Sequence, residues 1–214
     1  MVISHLGAQF FKVTFGDTTL AFDPISKTSK LKGAKFGADI AFISVNHPDM
    51  NGAEQVALGD RQPVVIDGPG EYEIQGIFAT GYQSVSHYGG QERINTIYIL
   101  KFEGMKLCFL GALGSGELPQ AVKEASDDID ILFVPIGGDG VLDAAEAHKL
   151  AVKLESKLVI PMHYRTSMGD IGDKDALTTF LKEEGSEKLK PLDKLTLKKK
   201  DLDGKGNEVV LLGS

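Results

Sequence analysis

The sequence predicts an α/β (α+β) fold arranged as an αββα sandwich, two β-sheets packed face to face with helices outside. Two observations carry this. The first half is written almost entirely in short strands joined by glycine turns, whereas the second half alternates buried strands with helical patterns. A weak two-half symmetry, strands and then helix in each half, is satisfied by two sheets sharing one core. At 214 residues, with no linker-like stretch, the chain is expected to form a single domain over 1–214.

The elements follow in order. Residues 9–22 read as two strands rich in Phe, Val and Thr, with Gly16-Asp17 as the hairpin turn between them. Residues 39–45 form an apolar strand. Residues 62–85 read as a meander punctuated by Gly68-Pro69-Gly70 and Gly76, and residues 96–110 as a hairpin around Glu103-Gly104. A short helix is expected over 117–125, a buried strand over 129–134, a helix over 142–155, a strand over 157–160 and a helix over 174–184. The 142–155 helix is the most strongly marked: Asp143 can cap it with Glu146 three residues on, and Ala147, Leu150, Ala151 and Leu154 form one apolar stripe. Strands return at 194–202 and 208–212. Lys198-Lys199-Lys200 would then alternate across an edge strand as a guard against aggregation.

Composition narrows the classes of function. Hydrophobic residues make up 42% and charged residues 25%, as in ordinary globular proteins. The formal charge of −7 disfavours a non-specific nucleic-acid or anionic-membrane binder, so neither partner is expected. No apolar run reaches membrane-spanning length, and the start of the chain has no basic region ahead of a long apolar stretch. The single cysteine, Cys108, sits in an apolar run where a thiol fills space. A cytoplasmic location is expected.

The 43–51 stretch, Ile-Ser-Val-Asn-His-Pro-Asp-Met-Asn, carries the chemistry. A strand ending in H-x-H-x-D-H offers imidazoles and a carboxylate to two metal ions from one tight turn. His47 and Asp49 stand at the second His and the Asp of that pattern. Val45 and Met50 stand at the first and third His, and neither offers a nitrogen or oxygen donor. Asp49 alternatively caps the segment that follows, 51–58. The glycine clusters at 111–116 and 137–140 match no phosphate-loop or dinucleotide fingerprint and read as tight turns. His5 and His148 read as structural.

Taken in order, Leu6-Gly7-Ala8, Phe22-Asp23-Pro24, the 44–51 loop, Gly68-Pro69-Gly70-Glu71-Tyr72, Arg93 and Asn95, Leu110-Gly111-Ala112, Pro135-Ile136-Gly137-Gly138 and Ile160-Pro161-Met162-His163-Tyr164 resemble the metallo-β-lactamase superfamily. The resemblance is greatest to its small lactonase-like branch, related to ascorbate-6-phosphate lactonase. It covers nearly the whole chain and implies a sandwich of metallo-β-lactamase type. It also implies ligand roles for His47, Asp49 and His163, while Val45, Met50 and Ala112 depart from the pattern and Ala8 replaces the His of a Gly-His pair. The middle histidine is open between Ser86 and His87.

The expectation is therefore a sandwich with a dismantled dinuclear site, which binds a small molecule or a protein in the cleft and has little or no hydrolase activity. No tightly bound cofactor is expected. The alternative is a hydrolase of esters, lactones or phosphodiesters with zinc or another divalent metal at one reduced site. That site would use His47, Asp49, His87 and His163 as ligands, with Asp49 and His163 carrying catalysis. The sequence leaves the oligomeric state open.

Overall fold

Two sheets close over a shared aromatic core in the computed structural model, which describes residues 1–169 and 171–214. The first sheet begins with β1 (Val2–His5), β2 (Phe11–Phe15) and β3 (Thr18–Phe22), an antiparallel run turned at Gly16-Asp17 as expected. It continues in parallel through β4 (Ile40–Phe42) and β5 (Val64–Ile66). The second sheet starts with the antiparallel ladder β6 (Gly70–Ile74), β7 (Ile77–Ser86), β8 (Arg93–Phe102) and β9 (Met105–Phe109). It then runs parallel through β10 (Ile131–Pro135) and β11 (Leu158–Met162). Two short late strands, β12 (Leu195–Thr196) and β13 (Glu208–Val209), close one edge of each sheet, on β1 and β11.

Alternation places one face of each strand in the core. Phe11, Phe22 and Phe42 of the first sheet meet Tyr98, Phe109 and Phe133 of the second: Phe22 stacks on Phe42 at 4.9 Å and lies 5.0 Å from Phe109, and Phe11 meets Phe133 edge-on at 4.9 Å. All six are buried, each stabilising the sandwich by roughly 1.5–3 kcal/mol.

Helices α1 (Gln120–Ala125), α2 (Ala144–Leu154) and α3 (Ala176–Glu183) cover the outer face of the second sheet along β9, β10 and β11. In α2 the expected capping box is present, Asp143 accepting from the Glu146 amide at 2.8 Å, and Ala147, Leu150, Ala151 and Leu154 are buried. His148 on α2 bonds Glu184 at the end of α3 at 2.9 Å, the structural role expected of it. Cys108 is buried against these helices, and burial pushes its thiol up to about 12. It is chemically inert.

Three expectations need correction. Among the described residues no α-helix covers the outer face of the first sheet; Phe10, Phe36, Ala38, Val56 and Ile171 do so, from loops with one 3-10 turn at Ala53–Gln55. The loops approach closely enough that a Cβ on Gly52 would lie 2.3 Å from the Ser26 nitrogen. The 62–85 meander is split, because β5 pairs in parallel with β4 in one sheet while β6 and β7 form a hairpin in the other. Glycine turns mark where strands end, not which sheet they join. The 194–202 strand stops at Thr196 and gives way to a 3-10 turn at Lys199–Leu202, where the Asp201 carboxylate accepts from the Lys198 amide at 2.7 Å. A local side-chain bond outcompetes the ladder, and Lys199 pairs with the buried Asp130. The lysine run therefore does not guard a strand edge.

Candidate functional site

The candidate site lies at the ends of β4, β7, β9 and β11, where the loops that follow these strands meet. β4 leads into the turn at residues 45–51, closed by the amides of Met50 and Asn51 on the His47 carbonyl at 2.8 and 3.0 Å. Below it, Asp23 accepts from both the Ser44 amide and the Ser44 hydroxyl, each at 2.6 Å, so the strand ends are tied together in the interior. Burial pushes the Asp23 carboxyl up to about 8 against the opposing effect of these two bonds.

Asn95 sets the neighbouring loop. Its side chain donates to the Leu110 carbonyl at 2.9 Å and the Ser84 hydroxyl at 2.8 Å, and accepts from the Ala112 amide at 2.8 Å. Gly111 between them has φ +61°, and a Cβ there would stand 2.5 Å from the Asn95 oxygen. Gly137 is similarly constrained, since a Cβ would meet the His163 carbonyl oxygen at 2.1 Å. Both glycine clusters thus serve close chain approach, as the tight-turn reading expects.

His163 follows β11 with φ +59° and is fully buried. Its amide donates to the Ala8 carbonyl at 2.8 Å, and its Nδ1 lies 2.7 Å from the Gln9 side-chain nitrogen. Burial holds its pKa down to about 3, so the ring is neutral. Its Nε2 is buried without a hydrogen-bond partner, and so is the Gln9 oxygen. His47 is partly exposed and accepts the Asp49 amide at Nδ1 (3.2 Å), and the same nitrogen lies 3.5 Å from Asp49 Oδ2.

The residue between these groups is Tyr88, which sequence reasoning passed over. Its ring stands edge to face with His47 and with His163, 4.9 Å from each, and its hydroxyl donates to Asp49 Oδ2 at 2.6 Å. The Ser29 hydroxyl donates to the other Asp49 oxygen. Asp49 is thus held by two hydroxyls and does not cap the following turn, which starts at Gly52 without a side-chain cap. Val45, Met50 and Ala112 pack with Val141 into a buried apolar cluster under Tyr88. The structure brings His47, Asp49 and His163 together around one tyrosine. His87 is not brought with them: its side chain is 57% exposed and lies 3.9 Å from Glu92, whereas Ser86 is buried and accepts the Tyr88 amide at 3.2 Å. Among the described residues no group of three or more His, Cys, Asp or Glu is placed to hold a metal ion.

The family profile described as the beta-lactamase superfamily domain matches residues 2–163, three quarters of the chain. The chain belongs to the β-lactamase superfamily. Among its relatives in this superfamily, a UPF0173 metal-dependent hydrolase of Carboxydothermus hydrogenoformans is 25% identical, the match covering 81% of this chain and 92% of the relative. One from Listeria innocua is 26% identical, over 78% and 86%. Of solved structures, a Thermotoga maritima protein described as a Zn-dependent hydrolase of the metallo-β-lactamase superfamily superposes with a TM-score of 0.74, at 27% identity, over 99% of this chain and 98% of its own. Igni18, a metallo hydrolase of Ignicoccus hospitalis, shares the fold with a TM-score of 0.61 at 18% identity, over 92% and 99%. The metallo-β-lactamase sandwich expected from the sequence is the observed fold, and its relatives are metal-dependent hydrolases. No helix among the described residues is long and apolar enough to cross a membrane.

Proposed function

We propose that this chain is a binding member of a hydrolase superfamily, one that recognises a small molecule or a protein at the lip of the old cleft and has little or no hydrolytic activity. The observation that carries this is the filling of the metal positions. Val45, Met50 and Ala112 join Val141 in a buried apolar cluster, and Tyr88 stands between His47 and His163 with its hydroxyl on Asp49. A catalytic zinc needs about three protein ligands and an open position for the water it activates. The donor set here does not fit a dinuclear centre: the positions that would bridge or complete it are apolar, and the carboxylate is already satisfied by two hydroxyls. What reaches solvent is the rim, where the His47 side chain is 22% exposed and His87 points outward.

A second reading has one observation in its favour. The buried, neutral His163 ring has an unpartnered Nε2, the kind of atom a metal would use, and a Gln9 amide turned to accept from Nδ1 would orient it as ligand-holding groups do. A hydrolase using a single zinc or other divalent metal on His47, Asp49 and His163 would require Tyr88 to swing out.

Metal analysis of protein purified without chelator or metal-affinity resin, alongside assays on ester, lactone and phosphodiester substrates, separates the two. The binding reading expects well under one zinc or iron per chain after dialysis and no turnover. One or more retained equivalents, with turnover abolished in His163→Ala, would overturn it.

A further inference from the structure

The helices leave part of the second sheet bare. α1 ends at Ala125 beside β9, and beyond it the outer face of β6, β7 and β8 forms a groove of about 650 Å³ lined by Glu71, Glu73, Phe78, Thr80, Ile99 and Lys101. The strand register sets these residues in rows. Glu73 on β6 pairs with Phe78 on β7, which pairs with Lys101 on β8; one step along, Glu71, Thr80 and Ile99 make the next row. Each row thus starts acidic at the sheet edge and ends basic or apolar two strands inward. Phe78, in the middle, is 58% exposed. Glu71, Glu73 and Lys101 make no ion pair among the described residues.

We propose that a second copy of this chain docks on this face, forming a two-fold symmetric dimer. A two-fold axis lying in the interface along β7 returns each row onto itself reversed, so that β6 of one copy faces β8 of the other. Phe78 then meets its symmetry mate, and Glu73 faces Lys101 of the second copy, twice per dimer, while Glu71 faces Ile99 one step along. The face is complementary to itself in charge, with an aromatic anchor at its centre and charges at its rim. Pairing of the free β6 edges is the competing arrangement, and the same residues oppose it: antiparallel pairing about Tyr72 would set Glu71 directly against Glu73 of the other copy, like charge on like. Face-to-face docking instead sets Glu73 against Lys101 and keeps the two acids of opposite copies apart.

Sedimentation velocity on the full chain tests this across a concentration series, with a thermal melt to confirm that each variant is folded. The expected result is a dimer for the parent at about 10 μM. Lys101→Glu should weaken association about tenfold or more, Phe78→Asp should weaken it likewise, and the swap Lys101→Glu with Glu73→Lys should restore it. A parent that stays monomeric to about 100 μM, a dimer indifferent to both single changes, or a swap that fails to restore association would each overturn the proposal.

Discussion

The Tyr88 hydroxyl donates to Asp49 Oδ2 at 2.6 Å, so the one carboxylate that the metal-loop pattern retains is held by a phenol. Burial first, and then Asp49 itself, push the Tyr88 pKa upward, so the phenol stays protonated and remains a donor throughout the physiological range. The tyrosine thereby does for His47, Asp49 and His163 what an ion does in a metal centre: it contacts all three and fixes their spacing.

Removal of that contact should separate its two effects. Tyr88→Phe keeps the ring between the imidazoles and loses only the bond to Asp49, which retains Ser29; a cost of about 1.5–3 kcal/mol is expected in urea unfolding. Tyr88→Ala also removes the ring, so it should cost more, and it should raise zinc affinity because all three donors are released. Zinc titration calorimetry of Tyr88→Ala beside the parent checks this. Equal heats in the two proteins would mean that the donors do not converge even when uncovered.

Stability should pass through a maximum near pH 6.5. The Asp23 carboxyl, raised by burial to about 8 from ~3.9 in the unfolded chain, binds an extra proton in the folded state between those values, so it lowers stability as pH rises, by up to ~1.4 kcal/mol per pH unit. His163, lowered by burial to about 3 from ~6.5, has the opposite sign and costs stability as pH falls through that window, and His5 is lowered too. Below ~6.5 the histidines outweigh Asp23; between ~6.5 and ~8 only the Asp23 decline remains. Asp23→Asn mimics the protonated acid, still able to accept from the Ser44 amide and donate to its hydroxyl, and should flatten the profile from pH 6.5 to 8. Denaturant midpoints taken across pH 5–9 would show it, and an unchanged slope in the variant would place the titration elsewhere.

Asp130 ties the late segment to the second sheet. It is buried and accepts from Lys157 at 2.7 Å, from the Lys106 amide at 2.8 Å and from Lys199 in the 3-10 turn. Burial alone would raise its pKa, but the bonds from Lys157, Lys199 and Lys106 outweigh it and leave the carboxyl below its usual range. Its stabilisation is thus present above ~4 and lost as pH falls through the lowered value. Asp130→Asn should cost about 2–4 kcal/mol, less than a fully buried pair because both lysines reach solvent. Faster amide exchange should be confined first to residues 195–202; uniform loss of protection would argue against a local tie.

What could be read from the sequence follows from how local each signal is. Asp143 and Glu146 declare the start of α2 because capping is settled within four residues, and β2, β3, β8 and β9 are declared by turns between alternating strands. His47 and Asp49 are legible from the spacing of the 43–51 turn and His163 only through the family resemblance, and the fold gathers all three around Tyr88. The sequence leaves the middle position open between Ser86 and His87 because a shift of one residue in a strand exchanges its inward and outward faces, and here Ser86 points in. Tyr88 was invisible for a different reason: its role depends on a turn through Gly89 and Gly90 that returns beside His47, some forty residues earlier in the chain. The split of β5 from β6 was equally hidden, since parallel pairing of β5 with β4 leaves no mark within either strand.

Restoring the missing donors is the most direct test of how the filled cluster behaves. Val45→His, Met50→His and Ala112→Asp together would return two imidazoles and a carboxylate, but Val45 is 1% exposed and Met50 and Ala112 are fully buried, so each new polar group enters an apolar site. Without metal the triple variant should lose several kcal/mol, since an unpartnered buried polar group costs ~1–3 kcal/mol. Zinc should recover part of that loss, because a metal that binds only the folded state stabilises it by mass action. Adding Tyr88→Ala should enlarge the recovery, as the ring no longer occupies the space between His47 and His163. Melting temperatures of parent, triple and quadruple variants with and without zinc read this out. A triple variant whose stability is insensitive to zinc, with or without Tyr88, would show that the 45–51 turn does not bring its side chains to His163 in the way a metal centre needs.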